Sequence, residues 1–197
     1  MVGRPKEFDC DQALEKAMGV FWHKGYEAAS VQDLLDGMGI NRGSMYDTFG
    51  DKHELFVKAV EHYGGTVVQK LTDTLDGPGS PLGNIRKLFA QLAEKAAAPK
   101  CRGCLVCNTA VELAPHDTEV AGAVRSQLTR IERAFRRALE SAVEAGELPG
   151  EVPAATDLRA LSRFLTNTVQ GLSVLGKAGV GRAMVKDVVD VAMSVIK

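Results

Sequence analysis

Three of the four cysteines in this 197-residue chain lie in one short segment, CRGCLVCN, residues 101–108. Cys101, Cys104 and Cys107 follow one another at intervals of three residues. A structural zinc ion needs four ligands of this kind. A reactive thiol needs a cation or a helix N-terminus beside it, and a packed cysteine needs only apolar neighbours. The spacing alone is compatible with a metal site, a redox or electrophile sensor, and ordinary packing.

The surrounding residues favour two of these roles over the third. On a helix, steps of three residues rotate by about 60° relative to one another, so the first and last cysteines would be about 120° apart. His116 is the nearest fourth ligand, and no further Cys-x-x-Cys pair exists outside the segment. We therefore expect no metal ion and no cofactor. Lys100 and Arg102, beside a helix N-terminus, favour a thiolate at the first two cysteines, so both thiol sensing and packing stay open.

The composition is that of a globular protein with one core, or one core and a small appended module. Charged residues make up 25% of the chain and nearly cancel, leaving a formal net charge of −1. No apolar run approaches the roughly 18 residues of a membrane helix. The first residues, MVGRPKEFDCDQ, contain basic side chains but no apolar stretch of a secretory signal. We expect a cytoplasmic protein with reduced cysteines and no membrane association.

Helical periodicity runs almost from end to end and is interrupted by glycine and proline clusters. Strand patterns are nearly absent, so the sequence predicts an all-α protein of about nine helices. Three or four short helices occupy the first 60 residues, and a glycine- and proline-rich loop follows at 76–84. The larger predicted helices come after it, ending near residue 98 and then spanning 103–114, 117–146, 154–177 and 181–196.

Residues 30–49, SVQDLLDGMGINRGSMYDTF, have the layout of a helix-turn-helix. Ser30 and Asn41 are suitable N-caps for its two helices. Met45 and Phe49 are four residues apart and are expected to point inward. The second helix then exposes a short polar face, as a helix that binds in the DNA major groove requires. Lys52, at the start of the following helix, is placed to help hold a phosphate.

These residues carry a family resemblance. The segment GINRGSMYDTFGDKHELF, followed by a long helical body, resembles the DNA-binding domain of the TetR/AcrR family of bacterial transcriptional repressors. The family pattern is matched by Ile40, Arg42, Gly43, Ser44, Met45, Tyr46, Phe49, Lys52 and Leu55. The resemblance implies a three-helix DNA-binding domain at residues 1–52 and a ligand-binding and dimerisation domain at 53–197.

The resemblance also implies roles for individual residues in the first domain. Phosphate contacts would come from Ser30, Ser44, Tyr46 and Lys52, base contacts from Gln32, Arg42 and Thr48, and close backbone approach from Gly43, while Arg4 and Lys6 would form a basic arm reaching the minor groove. Asp47 departs from the family pattern, which usually has a non-acidic residue there. Residues 1–60 hold seven basic against ten acidic side chains, so the contact surface for DNA must be narrow.

For the body, the resemblance implies a pocket for a small-molecule effector between helices 4 and 8. Candidate lining residues are Tyr63, Phe89, Cys104, Asn108, Glu112, Phe135, Phe164 and Asn167. A leucine seam at 158–175, together with the last helix, is expected to pair with a second copy of the chain.

The expected function follows from both halves. It is a dimeric repressor, not an enzyme, that binds a palindromic double-stranded operator and is released by a small molecule or by thiol modification. The alternative is an all-α small-molecule-binding or redox enzyme that uses the cysteine cluster.

Overall fold

The computed structural model describes residues 8–148 and 157–196, and in this part of the chain it contains helices and no strand. A π-helical stretch, Gly64–Val68, joins α4 (Lys52–Tyr63) to α5 (Gln69–Leu75), so these form one continuous helix. Counted in this way, the described residues form nine helices, and the all-α prediction is confirmed. The helices are α1 Cys10–Lys24, α2 Val31–Met38, α3 Arg42–Phe49, α4 Lys52–Tyr63, α5 Gln69–Leu75, α6 Pro81–Ala96, α7 Leu105–Glu112, α8 Thr118–Glu144, α9 Leu158–Ala178 and α10 Arg182–Ser194. Among them, no helix has the length and apolar character needed to cross a bilayer.

Helices α2 and α3 begin at the caps that the sequence predicts. The Ser30 hydroxyl accepts a hydrogen bond from the amide of Asp33, and the Asp33 carboxylate in turn accepts one from the amide of Ser30. Asn41 accepts from the amide of Ser44 at 2.8 Å and so starts α3. These bonds satisfy amides that would otherwise lack a partner at a helix start, which fixes where each short helix begins.

The N-terminal helices form a small unit, which we call the head, around a shared apolar centre. Phe21 of α1, Leu34 of α2 and Met45 of α3 are each at most 1% exposed, and Phe56 of α4 closes the centre from the other side. Phe49 is buried as well, so the two predicted inward residues of α3 are confirmed. The rest of α3 is thereby turned outward.

The larger helices form the body, in which α8 and α9 pack against each other and against α6. The leucine seam of α9 lies inside this arrangement, with Leu161, Leu165 and Leu172 all buried within the single chain. These leucines therefore do not form the surface that pairs with a second copy, and pairing through the other faces of the last two helices stays a prediction. Because α9 is apolar on two faces, its periodicity did not distinguish the face that packs on its own chain from the face that remains exposed.

The second apolar face of the last two helices is open to solvent. Exposed large apolar side chains on it are Phe164 and Val174 of α9, Met184 and Val191 of α10, and Val195, which follows the end of α10. The spacing is ten residues between Phe164 and Val174, and seven and then four residues from Met184 through Val191 to Val195, which keeps the side chains of each helix on one side. We call this surface the α9/α10 face.

Candidate nucleic-acid interface and effector cavity

Helix α3 is held at both ends, which leaves its outer side free for recognition. Asn41 caps its first turn, and Lys58 Nζ donates to the carbonyl of Phe49 at 2.9 Å. On the outer side, Arg42, Gly43, Tyr46 and Asp47 are exposed, and Ser44 and Thr48 are half-buried. A side chain at Gly43 would meet only Asn41 Oδ1 at 3.4 Å, so the backbone there is open to a close approach. Arg4 and Lys6 lie outside the described residues.

Two side chains predicted to contact DNA, those of Ser30 and Gln32, form hydrogen bonds within the head. Ser30 Oγ donates to Asp33 Oδ2 at 2.8 Å, and Gln32 Nε2 donates to Asp36 Oδ1 at 2.8 Å. Hydrogen bonds from Lys24 and then from Ser30 lower the pKa of Asp33 to about 2, so its carboxylate stays ionised near neutral pH. Ser30 and Gln32 must exchange these bonds for DNA contacts if they bind DNA.

Lys52 is held where α1 ends and α4 begins. Its Nζ lies 4.6 Å from the centre of the Tyr26 ring and donates to the carbonyl of Glu27 at 3.4 Å. A cation over an aromatic face is attracted by the ring and loses little mobility on meeting a phosphate. The position suits the phosphate contact predicted for Lys52, which stays a prediction.

The body contains a cavity of about 790 Å³, which we call the main cavity, lined from α4, the π-helical stretch, α5, α6, the 98–104 loop, α8 and α9. Trp22 of α1 also reaches its wall. A second cavity of about 560 Å³ lies between the end of α1, α7 and α9. Cys104 lines both cavities.

The predicted effector residues are divided among different surroundings. Tyr63 and Cys104 line the main cavity, whereas Asn108 and Glu112, again with Cys104, line the second cavity. Phe89 and Phe135 line neither, because their rings pack against each other in the core with centroids 6.0 Å apart. Phe164 and Asn167 also line neither and are exposed on the outer side of α9. Only half of the predicted set thus meets a cavity.

The cysteine segment places each thiol in a different environment, and all three are free. Cys101 lines the main cavity, and Cys104 occupies the N-cap position of α7. Burial, and then the neighbouring Cys104, raise the pKa of the Cys107 thiol, which disfavours its thiolate at neutral pH. Within 8–148 and 157–196, no three His, Cys, Asp or Glu side chains are grouped to hold a metal ion.

Cys104 has a specific partner in Tyr63. The phenol donates to Cys104 Sγ at 3.5 Å, and both residues are buried. Burial, and then the neighbouring thiol, hold the pKa of Tyr63 well above its usual value, so the phenol remains a hydrogen-bond donor.

The segment before α7 is docked onto the head through Trp22. Trp22 Nε1 donates to the carbonyl of Gly103 at 3.2 Å, and the Arg102 guanidinium lies 4.1 Å from the centre of the indole ring. The opposite contact is Tyr63, whose ring meets the indole edge-on at 5.0 Å. The wall of the main cavity is thus in direct contact with α1 of the head.

Two further contacts join head and body. Glu112 at the end of α7 accepts from the amide of Glu27 at 3.0 Å, and its carboxylate lies where a side chain at Gly25 would be, which only glycine permits. His53 Nε2 lies 2.6 Å from Asp117 Oδ2, at the start of α8. Glu112 is therefore engaged in joining the two units, although the sequence predicts it as an effector contact.

Comparison with known proteins identifies the family. A model described as bacterial regulatory proteins, tetR family, matches residues 13–59, and a model described as tetracyclin repressor-like, C-terminal domain, matches residues 81–186. The uncharacterized HTH-type transcriptional regulator YezE of Bacillus subtilis (strain 168) is 38% identical over 99% of this chain and 100% of its own. The chain belongs to the TetR family.

Other relatives agree with this assignment. The HTH-type transcriptional repressor ComR of Escherichia coli (strain K12) is 30% identical over 90% of this chain and 83% of its own. A cysteine mutant of the TetR family regulator CifR, solved with a 26 bp double-strand operator DNA, is 34% identical, with a TM-score of 0.84 over 99% of this chain and 100% of its own. The TetR-family protein described here is accordingly a DNA-binding transcriptional regulator, and the enzyme alternative is wrong.

Several residues that matter to this arrangement escaped the sequence reasoning. The contact between Trp22 and Arg102 spans 80 positions, so no local sequence pattern indicates it. Gln170 lines the main cavity, and both of its side-chain polar atoms are buried without a partner among the described residues. Its only sequence signal is a polar residue within the apolar stretch of α9.

The docking of the cysteine segment on Trp22 is testable by fluorescence, because Trp22 is the only tryptophan of the chain. We expect Arg102→Ala to uncover the indole face and shift its emission to longer wavelength. Arg125→Ala, an exposed arginine on α8, is the matched control and should leave the emission unchanged. Identical spectra for Arg102→Ala and the unmodified protein would show that the contact is absent in solution.

Proposed function

We propose that the protein is a homodimeric repressor that binds a palindromic operator and releases it when the main cavity is filled. One observation supports this most: residues 101–104 form part of the cavity wall and also contact Trp22 of the head. A molecule that displaces this wall must also disturb the head. The effector then acts by favouring one arrangement of head and body over another. The division into domains at residues 1–52 and 53–197 stays a prediction; Phe56 of α4 packs in the head, so α4 belongs to the head by its contacts.

The proposed DNA surface is the outer side of α3 with its neighbours. It comprises Arg42, Gly43, Ser44, Tyr46 and Thr48, together with Ser30, Gln32 and Lys52 and the arm residues Arg4 and Lys6. The placement of α3 supports this choice, because both ends are anchored while its polar side is exposed. The operator-bound CifR mutant supports double-stranded DNA as the partner.

Replacement of Arg42 tests the DNA surface. Duplexes from the region upstream of the gene are titrated with protein, and binding is followed by fluorescence anisotropy at several salt concentrations. We expect Arg42→Ala to weaken binding roughly tenfold, since one base or phosphate contact is worth about 1–3 kcal/mol. Arg133→Ala on α8, which is also exposed, should bind as the unmodified protein does. Equal affinity for both variants would contradict the proposed surface.

The proposed dimer interface is the α9/α10 face and not the leucine seam. Five large apolar side chains are between 41% and 63% exposed there, and a concentration of exposed apolar side chains favours an association surface. A second copy fits it because a two-fold interface uses the same patch on both partners. Asn167 lies within the stripe of α9, where a paired polar residue can fix the register of two helices.

A charge on this face should separate the subunits. We expect Val191→Glu to shift the protein from dimer to monomer in sedimentation velocity and to weaken operator binding. Val111→Glu on α7 makes the same change at an exposed valine outside the face and should leave the dimer intact. A dimeric Val191→Glu variant would rule out α10 as the centre of the interface.

Thiol modification is a second proposed trigger, favoured by the position of Cys104. Cys104 lines both cavities, and its sulfur accepts the hydrogen bond of Tyr63. A substituent on this sulfur must occupy cavity space and crowd the segment that contacts Trp22. Cys107, whose thiolate is disfavoured, is a poorer candidate, and Cys101 is packed close to α9, where a side chain at Gly176 would meet its sulfur at 2.9 Å.

Alkylation with iodoacetamide tests this trigger. The thiolate forms a carbon–sulfur bond and displaces iodide, while the thiol proton passes to solvent. We expect alkylation to release operator DNA, and Cys104→Ser to abolish the release, with mass spectrometry reporting the modified site. Cys107→Ser and Cys101→Ser should still respond. If Cys104→Ser responds like the unmodified protein, the cysteine segment has a packing role only.

A further inference from the structure

The main cavity has an apolar interior. Its buried and half-buried lining comes chiefly from aliphatic side chains on the π-helical stretch, α5, α6, α8 and α9: Val67, Val68, Leu71, Leu88, Leu92, Ile131, Val169 and Leu172. Such a lining favours a ligand that buries hydrocarbon surface. At about 790 Å³ the cavity is in the size range of sites for small organic molecules.

One polar side chain in this interior lacks a partner. Both the amide nitrogen and the amide oxygen of Gln170 are buried, and neither has a hydrogen bond within the described residues. Buried polar groups are normally paired, so this amide offers a hydrogen-bond partner to a ligand group that reaches it. Tyr63, on the same wall, is already engaged with Cys104.

The mouth of the cavity is basic. Its exposed lining residues lie on α5 and on the segment from the end of α6 to Arg102. Among the ionised groups there are four cations, Lys70, Lys95, Lys100 and Arg102, and one carboxylate, Glu94. None of the four cations forms an ion pair with a described carboxylate.

The nearby negative charge does not cancel this excess. Glu94 offsets one cation, and the C-terminal end of α6 contributes about half an elementary charge of the same sign. Arg102 is turned onto Trp22, which attracts the guanidinium without neutralising it. A positive potential therefore remains at the mouth, whereas the chain as a whole carries a formal charge of −1.

We infer that the main cavity binds an amphipathic anion, a molecule with an apolar body and one carboxylate or sulfonate group. The body fills the aliphatic interior and meets Gln170, and the anionic group stays at the mouth near Lys95 and Lys100. The inference deepens the proposed function by naming the chemical class of the effector, and it rests on that proposal only in taking this cavity as the effector site.

Two fluorescent probes with the same aromatic body test the charge preference. One is 8-anilino-1-naphthalenesulfonate, an anion, and the other is N-phenyl-1-naphthylamine, which is neutral. We expect the anion to bind the full-length protein roughly tenfold more tightly at low salt, as a few partly screened charge pairs would give. The difference should shrink as salt rises.

Two matched double variants test whether the preference for the anionic probe arises at the mouth of the cavity. Lys95→Gln with Lys100→Gln should bring the affinity for the anion down to that for the neutral probe, whose own affinity should not change. Arg86→Gln with Lys87→Gln removes the same charge from exposed positions of α6 that do not line the cavity, and it should keep the preference. Equal affinity for both probes in the unmodified protein, or an equal loss in both double variants, would overturn the inference.

Operator binding, measured in parallel, separates this inference from the proposed function. If the protein prefers the anionic probe but the probe never changes DNA binding, the ligand class stands and the effector role of the cavity fails. If the operator is bound and released by other compounds while the probes show no charge preference, the ligand class alone fails.

Discussion

The contact of Trp22 with the segment before α7 is the interaction on which this regulator depends. A single side chain of α1 donates to a backbone carbonyl of the cavity wall, lies beneath a guanidinium from the mouth and meets the ring of Tyr63 edge-on. Each of these interactions is weak by itself, on the order of 1 kcal/mol. Together they link the position of the head to the shape of the main cavity. In the proposed function, a molecule that fills the cavity changes these contacts, and allosteric control requires contacts that differ between two states in this way.

The local structure of the head could be predicted from sequence because its determinants are close together in the chain. The caps at Ser30, Asn41 and Asp51 act within three residues of their partners, and the inward pair of α3 follows from helical spacing. The predicted helix count was confirmed for the same reason, since glycine and proline interrupt the pattern at each loop.

The candidate site was predicted less well because it depends on contacts between distant segments. Phe89 and Phe135 are of a residue type that lines ligand pockets as readily as it fills cores, and in this structure their rings pack in the core. Glu112 is polar, as a residue that contacts an effector would be. Its carboxylate instead accepts a hydrogen bond from the backbone amide of Glu27, 85 positions away. Periodicity on α9 predicted two apolar faces without saying which one packs on its own chain. Only tertiary structure separates these roles.

The π-helical stretch Gly64–Val68 affects the rotation of α4 relative to α5 about their common helix axis. Arg130 of α8 holds the carbonyl of Gly64 at 2.8 Å and also contacts Gln69, which stabilises the wider turn from outside the helix. A π turn accommodates one residue more than an α turn, so it changes the rotational phase of everything beyond it by about 100°. The number of residues in this stretch therefore sets how α4, which packs against α1 in the head, is rotated relative to α5, which packs against α6 and α8 in the body.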